Sequence, residues 1–112
     1  MSNQFGGYKI FKYALRPVKG TDKIVLNLPL HTKILSVAEQ DDDIVVYAEH
    51  YANTEDDCKV RYTFRVVGTG HIYKFDRTLY KFFDTVKMYN GAMMFHVFMR
   101  TCWQTMDEPE DP

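Results

Sequence analysis

The sequence predicts an all-β fold, a small antiparallel sandwich or partly open barrel of about seven strands. Three observations carry that expectation. Short segments rich in β-branched and aromatic residues recur between turn signals along the 112 residues. The segment "VRYTFRVV" alternates Val60, Tyr62, Phe64 and Val66 with Arg61, Thr63 and Arg65, the period of a strand with one buried and one wet face. Asn90-Gly91 stands between two segments of strand length and supplies the two positive-φ residues of a tight hairpin turn.

Taken in order, the first strands are "YKIFKYAL" (8–15), "DKIVLNL" (22–28), "KILSVAEQ" (33–40) and "DIVVYAEHY" (43–51). Pro17 and Gly20 punctuate the first connection and Pro29 the second. Asp41-Asp42-Asp43 fits a tight acidic turn, because Asp hydrogen-bonds its own backbone and tolerates turn dihedrals. "ANTEDD" (52–57) is a longer polar connection before "VRYTFRVV" (60–67). Beyond the glycines, Ile72, Phe75, Leu79 and Phe82 recur at helical spacing, which allows a short helical turn near 76–79. "FFDTVKMY" and "AMMFHVFM" then form the last hairpin, with Met88 and Tyr89 passing Ala92 and Met93. One domain is expected over residues 1–106. The acidic tail 107–112, with four acids and two prolines, is expected to be flexible and dispensable for folding.

Composition narrows the function classes. Apolar residues make up 46% of the chain and aromatics 15%, far from the composition of a disordered segment. Cys58 and Cys102 make neither a disulfide framework nor a metal site, and His31, His50, His71 and His96 are scattered, so no metal or cofactor is expected. The N-terminus lacks the pattern of a secretory leader, and no apolar run approaches the ~20 residues that cross a bilayer. A soluble protein with no membrane partner is the expectation.

Charge is uneven although the net value is only −1. Eight acids and no base occupy residues 38–57, whereas 58–100 hold eight bases against two acids. Such polarity orients a partner and speeds encounter. Lys9, Lys12, Arg16, Lys19, Lys23 and Lys33 interleave with Tyr8, Phe11 and Tyr13, the makings of a nucleic-acid-binding small barrel. A pI of about 6.4 and the acidic block argue against nucleic acid.

Gly68-Thr69-Gly70-His71 is the one stretch that looks built to hold a ligand. A glycine loop after a strand can cradle an anion on converging N–H groups, here with His71 and Arg65 adding charge. It matches neither the dinucleotide nor the P-loop pattern, and its simpler reading is a tight turn or bulge. Catalysis would need an activated nucleophile and an orienting acid around His71, and no such constellation is spelled out. No catalytic residue is therefore assigned. Trp103, Met106, Tyr89 and Tyr13 are the candidate interface anchors.

Four segments together, "YKIFKYAL", "LPLHTKILSVAEQ", "RYTFRVVGTGH" and "FFDTVKMYNGAMMFHVF", resemble a family of small uncharacterised proteins of bacteriophages and bacterial genomes. The resemblance spans about residues 8 to 98. Its most specific element is the order of Phe64, Gly68 to His71, Thr85-Val86 and His96-Val97-Phe98. The triple-Asp turn, the acidic ending and Ile72 directly after His71 depart from the pattern. The resemblance implies a phage-encoded protein expressed in a host cytoplasm, and it carries no activity. The expected function is non-enzymatic: binding a bacterial host protein and modulating it. A small anionic ligand or nucleotide bound at Gly68 to His71 is the alternative. Self-association as a homodimer is compatible with the sequence, which does not mark a free sheet edge.

Overall fold

A computed structural model describes residues 7–16, 23–52 and 59–103, with Cys102 and Trp103 described by their backbone alone. Seven strands follow one another: β1 (Tyr8–Ala14), β2 (Lys23–Pro29), β3 (Lys33–Gln40), β4 (Asp43–Tyr51), β5 (Lys59–Gly68), β6 (Lys81–Met88) and β7 (Met93–Trp103). Every pairing is antiparallel. One sheet has the order β1-β4-β3 and the other β2-β5-β7-β6. They do not close on each other, so of the two expected architectures the chain adopts the sandwich.

Alternation builds the interior. Ile24 and Leu28 of β2, Val60, Tyr62 and Phe64 of β5, and Val97 of β7 meet Val37 of β3 and Ile44, Val46 and Ala48 of β4. Phe64, Val46 and Val97 are fully buried, and burying one such side chain stabilises the fold by about 1.5–3 kcal/mol. The Tyr62 hydroxyl keeps a partner at depth by donating to the Thr32 carbonyl at 3.0 Å. Burial raises its pKa, since the phenolate would be poorly solvated there.

The turns use the residues singled out for them. Gln40 pairs with Asp43, and the two residues between, Asp41 and Asp42, have φ of 52° and 66°. The Asp42 N–H donates to the Glu39 carboxylate at 2.8 Å, and Asp43 already belongs to β4, where it meets Arg16 at 2.8 Å. At the last hairpin Asn90 and Gly91 have φ of 56° and 88°, and the Ala92 N–H closes the turn on the Tyr89 carbonyl at 3.0 Å. The ladder stops at Met88 and Met93, because Tyr89 itself turns left-handed with φ 52°.

Two expectations need adjustment. The short helical turn expected near 76–79 is present as a single hydrogen-bonded turn, with Leu79 and Tyr80 N–H both donating to the Asp76 carbonyl at 3.0 and 3.3 Å, but the apolar spacing that suggested it does not pack as a helix face. The apolar residues at helical spacing do not share a buried face: Phe75 is buried while Ile72, Leu79 and Phe82 are exposed. The expected wet face of β5 is dry from Thr63 onward, with Arg61 half-buried. Thr63, Arg65 and Val67 are as buried as their inner-facing neighbours, and the segment after Gly70 folds back over Arg65 and Val67. The expected tail at 107–112, its start at Met106 and most of the "ANTEDD" connection lie outside the described residues.

Candidate functional site

The chain from Gly68 to Tyr80 lies on the outer face of the four-stranded sheet. It begins as a turn with His71 N–H donating to the Gly68 carbonyl at 3.1 Å and Gly70 at φ 87°. A turn with positive φ at its third residue needs glycine there. Gly68 makes room for a side chain instead of supplying a turn dihedral. A Cβ on it would stand 2.8 Å from His71 Nδ1, since the imidazole folds back against the bare α-carbon.

Thr69 anchors this turn to β7 and, through His96, to β6. Its N–H donates to the Met94 carbonyl at 3.2 Å. Its hydroxyl lies 2.7 Å from His96 Nε2, and the other ring nitrogen of His96 lies 3.0 Å from the Thr85 hydroxyl. His96 therefore ties β6, β7 and the turn together. This bears on the anion-binding reading directly. Two of the loop's N–H groups, on Thr69 and His71, already serve protein carbonyls, so the three do not converge on open space. Chemistry at a threonine hydroxyl would need a base whose second nitrogen is held by an acid, and here Thr85 occupies that place.

The turn, His96, Tyr73, Val67 and Phe98 line an open cleft of about 220 Å³. That is below the usual 300–1,000 Å³ of small-molecule sites. Among the described residues no group of three or more His, Cys, Asp or Glu is placed to hold a metal ion. No helix there is long and apolar enough to cross a membrane.

Arg65 does not face the glycine turn. It is 6% exposed, and its guanidinium lies 5.1 Å from the Tyr80 ring centre and 5.4 Å from that of Phe75. A planar, weakly hydrated cation between two ring faces gains most when water is excluded. Phe75 meets Tyr80 edge-on at 5.0 Å and Phe98 at 5.2 Å, and Val67 completes this second cluster. Asp76 shapes the turn that follows. Its carboxylate accepts the Thr78 N–H at 2.8 Å and the Thr78 hydroxyl at 2.6 Å. Those two bonds hold its pKa below the usual carboxylate range.

A recognition surface grows on this cluster. Tyr73, Phe82 and Arg77 surround the ring of Phe98, at 5.6, 5.7 and 4.7 Å from its centre. Phe82 is 53% exposed and Tyr73 38%, with Ile72 and Leu79 also open to solvent on the same segment. Sequence reasoning missed this group. The signal available was the number of rings between Tyr73 and Phe83, more than a plain connection needs.

The residues expected as anchors are not brought together. Tyr13 sits on β1, half-buried, with its hydroxyl 2.9 Å from His50 Nε2. Tyr89 is exposed at the hairpin tip that opens β7, whereas Trp103 ends that strand opposite Val60. Met106 lies outside the described residues. The basic residues of the first third are also dispersed. Lys12 and Lys33 lie on opposite edges of the three-stranded sheet, with Lys33 facing Glu49, and Lys23 lies in the other sheet.

A family model described as a domain of unknown function, DUF7352, matches residues 7–106, nearly the whole chain. The chain belongs to the DUF7352 family. Searches of curated proteins and of solved structures gave no match. Within this DUF7352 domain the matched span takes in both sheets and the segment that carries the aromatic surface.

Proposed function

We propose that the protein is a non-enzymatic interaction protein that engages another protein through the surface around Phe98. The observation that carries this reading is the grouping of exposed Tyr73, Phe82 and Arg77 about one ring. Tyr and Arg are the residue types that dominate binding energy at protein interfaces, and single exposed apolar residues do not cluster in this way. Tyr73 and Phe98 stand against Phe75, which Arg65 backs in turn, so these rings lose little side-chain freedom on binding. The expected partner is a bacterial host protein and the expected origin a bacteriophage, both from the motif resemblance.

Affinity capture from several bacterial lysates, with wild type and an Arg77→Ala/Phe82→Ala double variant, tests the proposal. A stoichiometric partner held by wild type and lost by the variant, at nearly unchanged melting temperature, is the expected result. The reading fails if no specific partner is recovered, or if the variant retains it.

The cleft beside His71 and His96 favours a second reading, a small anion or nucleotide at the glycine turn. A thermal-shift screen on wild type and His71→Ala separates it from the first. A ligand that shifts both proteins equally, or no ligand at all, excludes this site.

A further inference from the structure

We propose that the protein forms a two-fold dimer by antiparallel pairing of β1 with β1 of a second copy. Among the described residues the two sheets have four edges: β1 and β3 in one, β2 and β6 in the other. Exposed edges invite pairing with another chain, and natural sheets blunt them with bulges, prolines and charges. Strand β3 bulges at Leu35, between Ile34 and Ser36, and β6 bulges at Phe83, between Phe82 and Asp84. Strand β2 ends on Pro29. Strand β1 has neither bulge nor proline, its only protection being Lys9 and Lys12, and its seven residues run in unbroken register with β4.

The register also fixes which backbone groups face outward. The Leu15 N–H donates to the Ile44 carbonyl at 2.8 Å, and the Gly7 carbonyl accepts from Ala52 N–H at 2.9 Å. Hydrogen-bonding pairs alternate along an antiparallel ladder, so Lys9, Phe11 and Tyr13 also point their N–H and C=O groups at β4. Ile10, Lys12 and Ala14 point theirs away from it. Those three therefore form a row of outward donors and acceptors.

A second copy fits this row without conflict. With the two-fold axis between the two Phe11 residues, Ile10 of one copy stands opposite Lys12 of the other, Lys9 opposite Tyr13, and Tyr8 opposite Ala14. No like charges stand directly opposite each other, and the two Lys12 residues, diagonal neighbours across the axis, keep the pairing weak rather than forbid it. Ile10, 57% exposed in the monomer, gains the aliphatic stem of Lys12 as a neighbour. The result is one continuous sheet in the order β3-β4-β1-β1-β4-β3. It lies on the three-stranded sheet, while the Phe98 surface lies on the four-stranded one.

Light scattering over micromolar to millimolar concentration is the first test, and amide exchange at the dimer end of that range is the second. Twice the 13.2 kDa monomer mass is expected at high concentration, falling on dilution. Amides of Ile10, Lys12 and Ala14 should then become protected, joining those of Phe11 and Tyr13. Ile10→Pro removes an outward N–H and no bond to β4, so it should give a folded monomer. Ile10→Lys, which sets two lysines opposite each other, should do the same if the proline variant folds poorly. The proposal is overturned by a monomer at every concentration, by a dimer that survives these substitutions, or by a dimer whose Ile10, Lys12 and Ala14 amides still exchange rapidly.

Discussion

Strand β5 is buried on both faces, and the two burials are made differently. Inward, Val60, Tyr62 and Phe64 meet side chains from strands of both sheets, apolar against apolar. Outward, Arg65 and Val67 are covered chiefly by one non-strand segment, and a cation stands at the centre with rings on it. The inner cluster follows from period-two alternation distributed over six strands, so no single side chain defines it. The outer cluster depends on Arg65 being held by Phe75 and Tyr80. It also gives the exposed ring surface something rigid to stand on. A fold can thus place its general stability on one face of a strand and a specialised surface on the other.

The sharpest way to break this comparison is at its common strand. Phe64→Ala should remove about 3–5 kcal/mol in urea unfolding, the cost of an aromatic cavity in a core that relaxes only partly. Arg65→Met keeps volume and removes the charge. It should lower stability by about 2 kcal/mol, the worth of a desolvated cation–π contact. Its effect should also be local, with the Leu79 and Tyr80 amides exchanging faster while β4 amides hold their order of protection. A loss as large as that of Phe64→Ala, spread over both sheets, would mean that the two clusters are one.

Smaller effects sharpen the picture at the ends of the covering segment. Gly70→Ala should lower stability by about 1–2 kcal/mol, because φ 87° brings an added Cβ against the following carbonyl. Nothing lies within 4 Å of that Cβ, so the loss reports backbone strain alone. At Asp76 the folded-state pKa is depressed. Its contribution is therefore fully present above the ordinary carboxylate value and is lost as pH falls through the lower, folded value. The Thr78 amide shift, followed in acid by NMR, should titrate below the ordinary carboxylate range and lose that transition in Asp76→Asn.

Strands were legible because their side chains obey a local rule. All seven segments lie where the aromatic and β-branched runs place them, and the register of the last hairpin follows from Asn90-Gly91. Gly70 was legible for the same reason, since a turn demands its φ. Arg65 was not. Read along the strand, Arg61, Thr63 and Arg65 form a wet face, and it is the return of Phe75 and Tyr80 over Arg65 that the alternation does not show. The contact joins residues whose proximity no periodicity encodes. The Phe98 surface was hidden likewise, because Tyr73, Arg77 and Phe82 meet only through a ring on another strand. The free edge at β1 needed the strand order and the positions of two bulges.

Arg65, gripped by the rings of Phe75 and Tyr80, holds the covering segment on the sheet. A double-mutant cycle of Arg65→Met with Tyr80→Leu, measured by denaturant unfolding, tests it most directly. The guanidinium and the Tyr80 ring are 5.1 Å apart and buried, so a coupling energy of about 1–2 kcal/mol is predicted. Additivity within about 0.3–0.5 kcal/mol would contradict the account, since independent residues behave that way.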